Sequence, residues 1–95
     1  MSNRYQKTSS VVERKIRGEH ILVPLMGTTE QLDSLYTLNA SASFVWELAV
    51  QKQPAPEIVH RFADSYKIDF ETAQRDVTRI LEELLAIRAL EPAAG

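Results

Sequence analysis

A chain of 95 residues with a formal net charge of −2 and 44% hydrophobic composition has room for one modest core, and it is too apolar to be wholly disordered. The absence of cysteine excludes disulfides, thiolate metal sites and cysteine nucleophiles, and the net negative charge gives no general attraction to nucleic-acid backbones. No apolar run approaches the roughly 18 residues a membrane span needs, and the first residues lack an apolar signal core, so a soluble cytoplasmic protein is expected.

Residues 1–10 are polar and carry Thr8-Ser9-Ser10, which predicts a flexible N-terminal tail. Arg4, Lys7, Arg14, Lys15 and Arg17 outnumber Glu13 and Glu19 in this part of the chain, a pattern read as a solvated basic arm and strand, with a nucleic-acid or acidic-peptide contact as the alternative. Residues 11–16 and 19–23 are rich in β-branched side chains and flank Arg17-Gly18, the signature of a hairpin. Pro24 has no amide to donate and should end the second strand. After a loop over residues 26–31, a third short strand at residues 33–38 reads as a sheet edge.

Asn39 can accept a hydrogen bond from the first turn of a helix, so side-chain placement switches there from a period of two to one of 3.6. In that helix Ala42, Phe44, Val45, Trp46, Leu48 and Ala49 cover most of the cylinder and leave Ser43 and Glu47 as a narrow polar strip. Such a helix must be buried on several sides. Pro54-Ala55-Pro56 opens a second helix, with Ile58, Val59, Phe62, Ala63 and Tyr66 on one side. Asp69 can cap a third, with Phe70, Ala73, Val77, Ile80, Leu81, Leu84 and Leu85 inward and Arg75, Arg79 and Glu82 outward. The expected fold is α+β: a winged helix-turn-helix in which a three-stranded antiparallel sheet is followed by three helices, one domain over residues 11–90.

Catalytic, cofactor and metal signals are not found. His20 and His60 lie far apart without an acidic companion at ligand spacing, and read as surface or strand histidines. Glu82 and Glu83 are adjacent on a helix and point in different directions, while Asp69 and Glu71 complement a helix dipole. Gly18, Gly27 and Gly95 cannot build a phosphate-cradling loop.

The step Tyr36-x-Leu38-Asn39 into Phe44-x-Trp46-x-Leu48, then Glu57-Ile58, then Ala73-x-x-Asp76-Val77 and Ile80-Leu81-x-x-Leu84, resembles the PqqD family of peptide-recognition domains over most of the chain. Two connections depart from that pattern: Gln51-Lys52-Gln53-Pro54 replaces a tight Asp-Gly-type turn after the first helix, and Arg88-Ala89-Leu90 replaces a terminal glycine after the third. The resemblance implies a non-catalytic chaperone for the leader of a ribosomally made precursor peptide, bound between third strand and third helix. It also implies a partner enzyme that modifies the peptide, of the radical-SAM type in the family's pathway to the coenzyme pyrroloquinoline quinone (PQQ). A free strand edge allows the same thing physically, because a foreign segment can add to it as a further strand. Asp33, Ser34, Leu35, Tyr36 and Thr37 would supply the edge, and Arg75, Asp76, Arg79, Ile80 and Glu83 the helix side. Which flank of the helix faces the strand is left open by the sequence. No nucleic acid or membrane partner is expected, and the chain would be a monomer or a weak homodimer. The competing reading is a DNA-binding winged-helix transcriptional regulator, for which Arg75, Arg79 and Arg88 are offset by Glu71, Asp76, Glu82 and Glu83.

Overall fold

Strand, turn and helix signals resolve into discrete elements in the computed structural model, which describes residues 4–25 and 36–93. In chain order these are β1 (Tyr5–Lys7), β2 (Val11–Ile16), β3 (Glu19–Pro24), β4 (Tyr36–Leu38), α1 (Ala40–Val50), α2 (Ala55–Tyr66), α3 (Phe70–Ala86) and β5 (Leu90–Pro92). The described strands form an antiparallel sheet in the order β2-β3-β4 and a second two-stranded pair, β1-β5. The loop expected over residues 26–31 and the first half of the third predicted strand lie outside the described residues.

The hairpin forms where the sequence places it, with Ile16 opposite Glu19, and Pro24 is the last residue of β3. Its two-residue turn places both Arg17 (φ 54°) and Gly18 (φ 82°) in the left-handed region, the twist that matches right-handed strand twist. Arg17 therefore carries a conformation that the sequence assigned to Gly18 alone.

The expected flexible tail is corrected from residue 5 onward. Tyr5 pairs with Pro92 and Lys7 with Leu90, and the ladder continues through Thr8 N–H to the Ala89 carbonyl at 3.0 Å. The Thr8 side chain is buried, and the Arg4 guanidinium reaches the Lys52 carbonyl at 2.7 Å, so the N-terminal strand ties the ends of α1 and α3 together. Composition concealed this strand because its stability comes from a partner more than 80 residues away.

Asn39 caps α1 as expected, its side-chain oxygen accepting from Ala42 N–H at 2.8 Å. Val45, Trp46 and Ala49 are fully buried, and Phe44 lies edge-on to Phe62 and Tyr66 of α2, ring centroids 5.8 Å apart in both pairs. Val11, Leu22 and Leu38 from the sheet and Ala73, Val77, Ile80, Leu81 and Leu84 from α3 close the core. Phe70 is a correction: assigned to the buried face, it is 47% exposed at the start of α3.

Each of the three helices is followed within two residues by a basic, non-glycine residue with positive φ: Lys52 (64°), Lys67 (56°) and Arg88 (64°). The amides that follow turn back onto the helices, Gln53 to Leu48, Ile68 to Ala63 and Ala89 to Leu84. These cations complement the negative end of each dipole, at the cost of a left-handed backbone that favours glycine. Replacing Lys52, Lys67 and Arg88 together by glycine should raise unfolding stability by about 1–2 kcal/mol in urea titration.

Asp69 occupies the cap position of α3, although its side chain closes no full hydrogen bond on the helix amides. The Thr72 hydroxyl nearby nonetheless holds the Asp69 carboxyl below the usual carboxylate range, with backbone amides and Arg75 adding to the effect. A lowered folded-state pKa contributes stability that is present above the unfolded value, near 3.9, and is lost as pH falls through the folded one. The stability difference between wild type and Asp69→Asn should therefore hold at neutral pH and shrink below about pH 4 in acid-unfolding curves.

Candidate functional site

In the sheet, β4 pairs on one side with β3 only, Tyr36 opposite Leu22 and Leu38 opposite His20, and no described strand lies on its other side. Beside it runs α3, and the two, with Asn39 and Ala42 at the start of α1, line a cavity of about 120 Å³. Its strand wall is Tyr36, Thr37 and Leu38, its floor Ile80 and Leu84, and its rim Glu83 and Ile87. Ile80 and Leu84 are almost fully buried while Tyr36 is 45% exposed, so the hollow has an apolar floor and an open strand wall. A space of this size takes one aliphatic side chain, and falls short of the roughly 300–1,000 Å³ of a small-molecule site.

Of the residues expected at the site, Tyr36, Thr37, Ile80 and Glu83 are brought together here. Asp33, Ser34 and Leu35 lie outside the described residues. Arg75 and Arg79 are placed elsewhere: with Glu71 and Glu82 they border a shallow depression on the outer flank of α3. The reading that grouped them with the groove is thereby corrected, because α3 turns its 80–83–84–87 stripe, and not its arginine row, toward β4. Asp76 lies one turn before Ile80 on that stripe and forms an ion pair with Arg79 at 3.8 Å. Ile87 was overlooked. It follows the last helical residue, yet stands seven positions after Ile80, and that spacing was the signal for it.

His20 is not a surface residue. It is 4% exposed on β3, its Nδ1 against Glu13 of β2 and its Nε2 2.7 Å from the Glu47 carboxylate of α1, with Lys15 Nζ 3.9 Å from the same carboxylate. The ring clips the hairpin to α1 through the contacts of its two nitrogens with carboxylates on either side. Its position opposite Leu38 makes this clip a support for β4. Replacing His20 by alanine should destabilise the domain by about 2 kcal/mol in urea titration, from lost hydrogen bonds and packing. Among the described residues no group of three or more His, Cys, Asp or Glu could hold a metal ion, and no helix is long and apolar enough to cross a membrane.

The family model described as Coenzyme PQQ synthesis protein D (PqqD) matches residues 19–90, which run from β3 through β4 and all three helices to β5. The chain belongs to the PqqD family. Among solved structures, TbiB1 in complex with the TbiA(beta) leader peptide is 28% identical, with a TM-score of 0.77 over 95% of this chain and 99% of that one. A lasso peptide synthetase B1 complexed with its leader peptide shares the fold at 12% identity, with a TM-score of 0.78 over 94% of this chain and 99% of that one. The PqqD part of Methylobacterium extorquens PqqCD, a stand-alone recognition element for ribosomally synthesized and post-translationally modified peptides, shares it at 21% identity, with a TM-score of 0.64 over 92% of this chain and 87% of that one. No curated protein matches the chain. The α+β architecture of this PqqD-family member is thus the architecture of those recognition domains, with the β1-β5 pair added to the expected sheet.

Proposed function

We propose that this PqqD-family domain binds the leader of a ribosomally made precursor peptide by strand addition to β4 and presents it to a modifying enzyme, performing no chemistry itself. The observation that carries the reading is the side of β4 on which no described strand lies, beside a hollow floored by Ile80 and Leu84 of α3, in a chain 28% identical to a protein solved with a leader peptide. The added strand would use main-chain hydrogen bonds for direction, while one side chain of its inward face would enter the hollow and those on the other face would meet solvent.

Affinity follows from the contacts. About five strand hydrogen bonds at roughly 1 kcal/mol each and two apolar anchors at about 2 kcal/mol each, one in the hollow and one against Ile87 at its rim, less about 2–5 kcal/mol for ordering the peptide, leave about 4–7 kcal/mol, which is binding between about millimolar and low micromolar. That strength suits a carrier that must release its cargo to an enzyme. A DNA-binding role is disfavoured by the outer flank of α3, where Glu71 and Glu82 bracket Arg75 and Arg79 and repel the phosphates the arginines would attract.

Amide chemical-shift mapping with the leader of the precursor peptide encoded nearest to this gene tests the reading. Shifts should concentrate at residues 36–38 and 80–87 and spare the Arg75–Arg79 flank. Shifts confined to the arginine flank, or none with leader in millimolar excess, would overturn it.

A further inference from the structure

The groove carries a charge asymmetry. Among the described residues its lining holds one ionised side chain, the exposed Glu83; the other polar residues that line it, Tyr36, Thr37 and Asn39, are uncharged. No lysine or arginine lines the hollow, and no ion pair or hydrogen bond joins the Glu83 side chain to another described residue. Arg79, one turn earlier on α3, stands at the distance of 3.8 Å from Asp76 instead. Glu83 thus stands among Ile80, Leu84 and Ile87, its carboxylate uncompensated by a cation from the hollow's lining.

We propose that the peptide accepted here is cationic beside its apolar anchor: a leucine- or isoleucine-like side chain enters the hollow over Ile80 and Leu84, and a lysine or arginine two residues away on the strand meets Glu83. The inference rests on the peptide-binding reading above and deepens it. The spacing comes from geometry. Side chains on one face of an extended strand repeat about every 6.8 Å. Ile80 and Glu83 are separated by about 4.5 Å along the helix axis, and the flexible stem of a lysine or arginine covers the remainder. An acidic residue at that position would face a carboxylate at the edge of an apolar hollow and be rejected, so Glu83 selects against one charge as well as for the other. Because the carboxylate is exposed, its contribution is to choice of partner and to encounter rate more than to raw affinity, and it fades with salt.

The test is selection of a random ten-residue peptide library, displayed polyvalently on phage, against wild type, Glu83→Gln, Glu83→Lys and Ile87→Asp, each first shown folded by circular dichroism. The wild-type pool should enrich lysine or arginine two positions from an aliphatic residue, and the Glu83→Lys pool should exchange that preference for aspartate or glutamate. In a synthetic peptide from the wild-type pool, changing the cation to glutamate should weaken binding about 3- to 10-fold at low salt and much less at 0.5 M salt. Enrichment of aliphatic residues without a charge preference, or a preference unmoved in Glu83→Lys, overturns the inference and leaves the groove standing. Peptides that bind Ile87→Asp as well as wild type, or no enrichment on any variant, overturn the groove together with it.

Discussion

Trp46→Ala should be the most damaging single change in the chain, lowering unfolding stability by about 3–5 kcal/mol, a large share of the roughly 5–15 kcal/mol a small domain possesses. Trp46 is fully buried in α1, at the meeting of the sheet, α2 and α3, and no neighbouring element can collapse into the space its indole would leave. Its Nε1–H is buried without a hydrogen-bond partner among the described residues, which makes the conservative variant informative. Trp46→Phe removes an unsatisfied donor, worth about 1–3 kcal/mol, at the same time as it removes volume, so the two effects oppose each other. Urea titration followed by far-ultraviolet circular dichroism should find Trp46→Phe within about 1 kcal/mol of wild type. A Trp46→Phe variant as damaged as Trp46→Ala would show that the indole N–H is satisfied and that its bond matters.

Ile87→Asp should have the largest effect on binding, weakening a leader peptide about 30-fold or more while the domain stays folded. Ile87 is half-buried on the rim of the hollow, so it can contribute to a bound peptide without being indispensable to the core. Losing one apolar anchor costs about 2 kcal/mol, or roughly 30-fold, and the new carboxylate adds a desolvation cost beside Glu83. Arg79→Glu is the matched control: it changes charge by two on the same helix but on the far flank, and should leave affinity within about twofold by isothermal titration at physiological salt. Equal losses in the two variants would remove the groove beside β4 as the binding surface.

Much of this fold was legible because its signals are local. Asn39 caps α1 through an amide three residues away, Arg17-Gly18 turns the hairpin between adjacent strands, and the apolar stripes of α2 and α3 repeat with the helical period. The resemblance to the PqqD family rested on the same local steps, and the family match covers them. What the sequence left open depended on which distant surfaces meet. The pairing of β1 with β5, the burial of His20 between Glu13 and Glu47, and the exposure of Phe70 each depend on a partner from another element.

For the candidate site the division is the same. Residue order determined that an edge strand, an apolar helix stripe and two flanking charge sets would exist, since period and capping are properties of neighbouring residues. Only packing decided that α3 turns Ile80, Glu83, Leu84 and Ile87 to β4 and leaves Arg75 and Arg79 outside. A helix can bury the same apolar stripe while presenting either shoulder to a neighbouring strand. Which shoulder faces it is set by the rotation of α3 against α1, α2 and the sheet together, a quantity that no single segment contains.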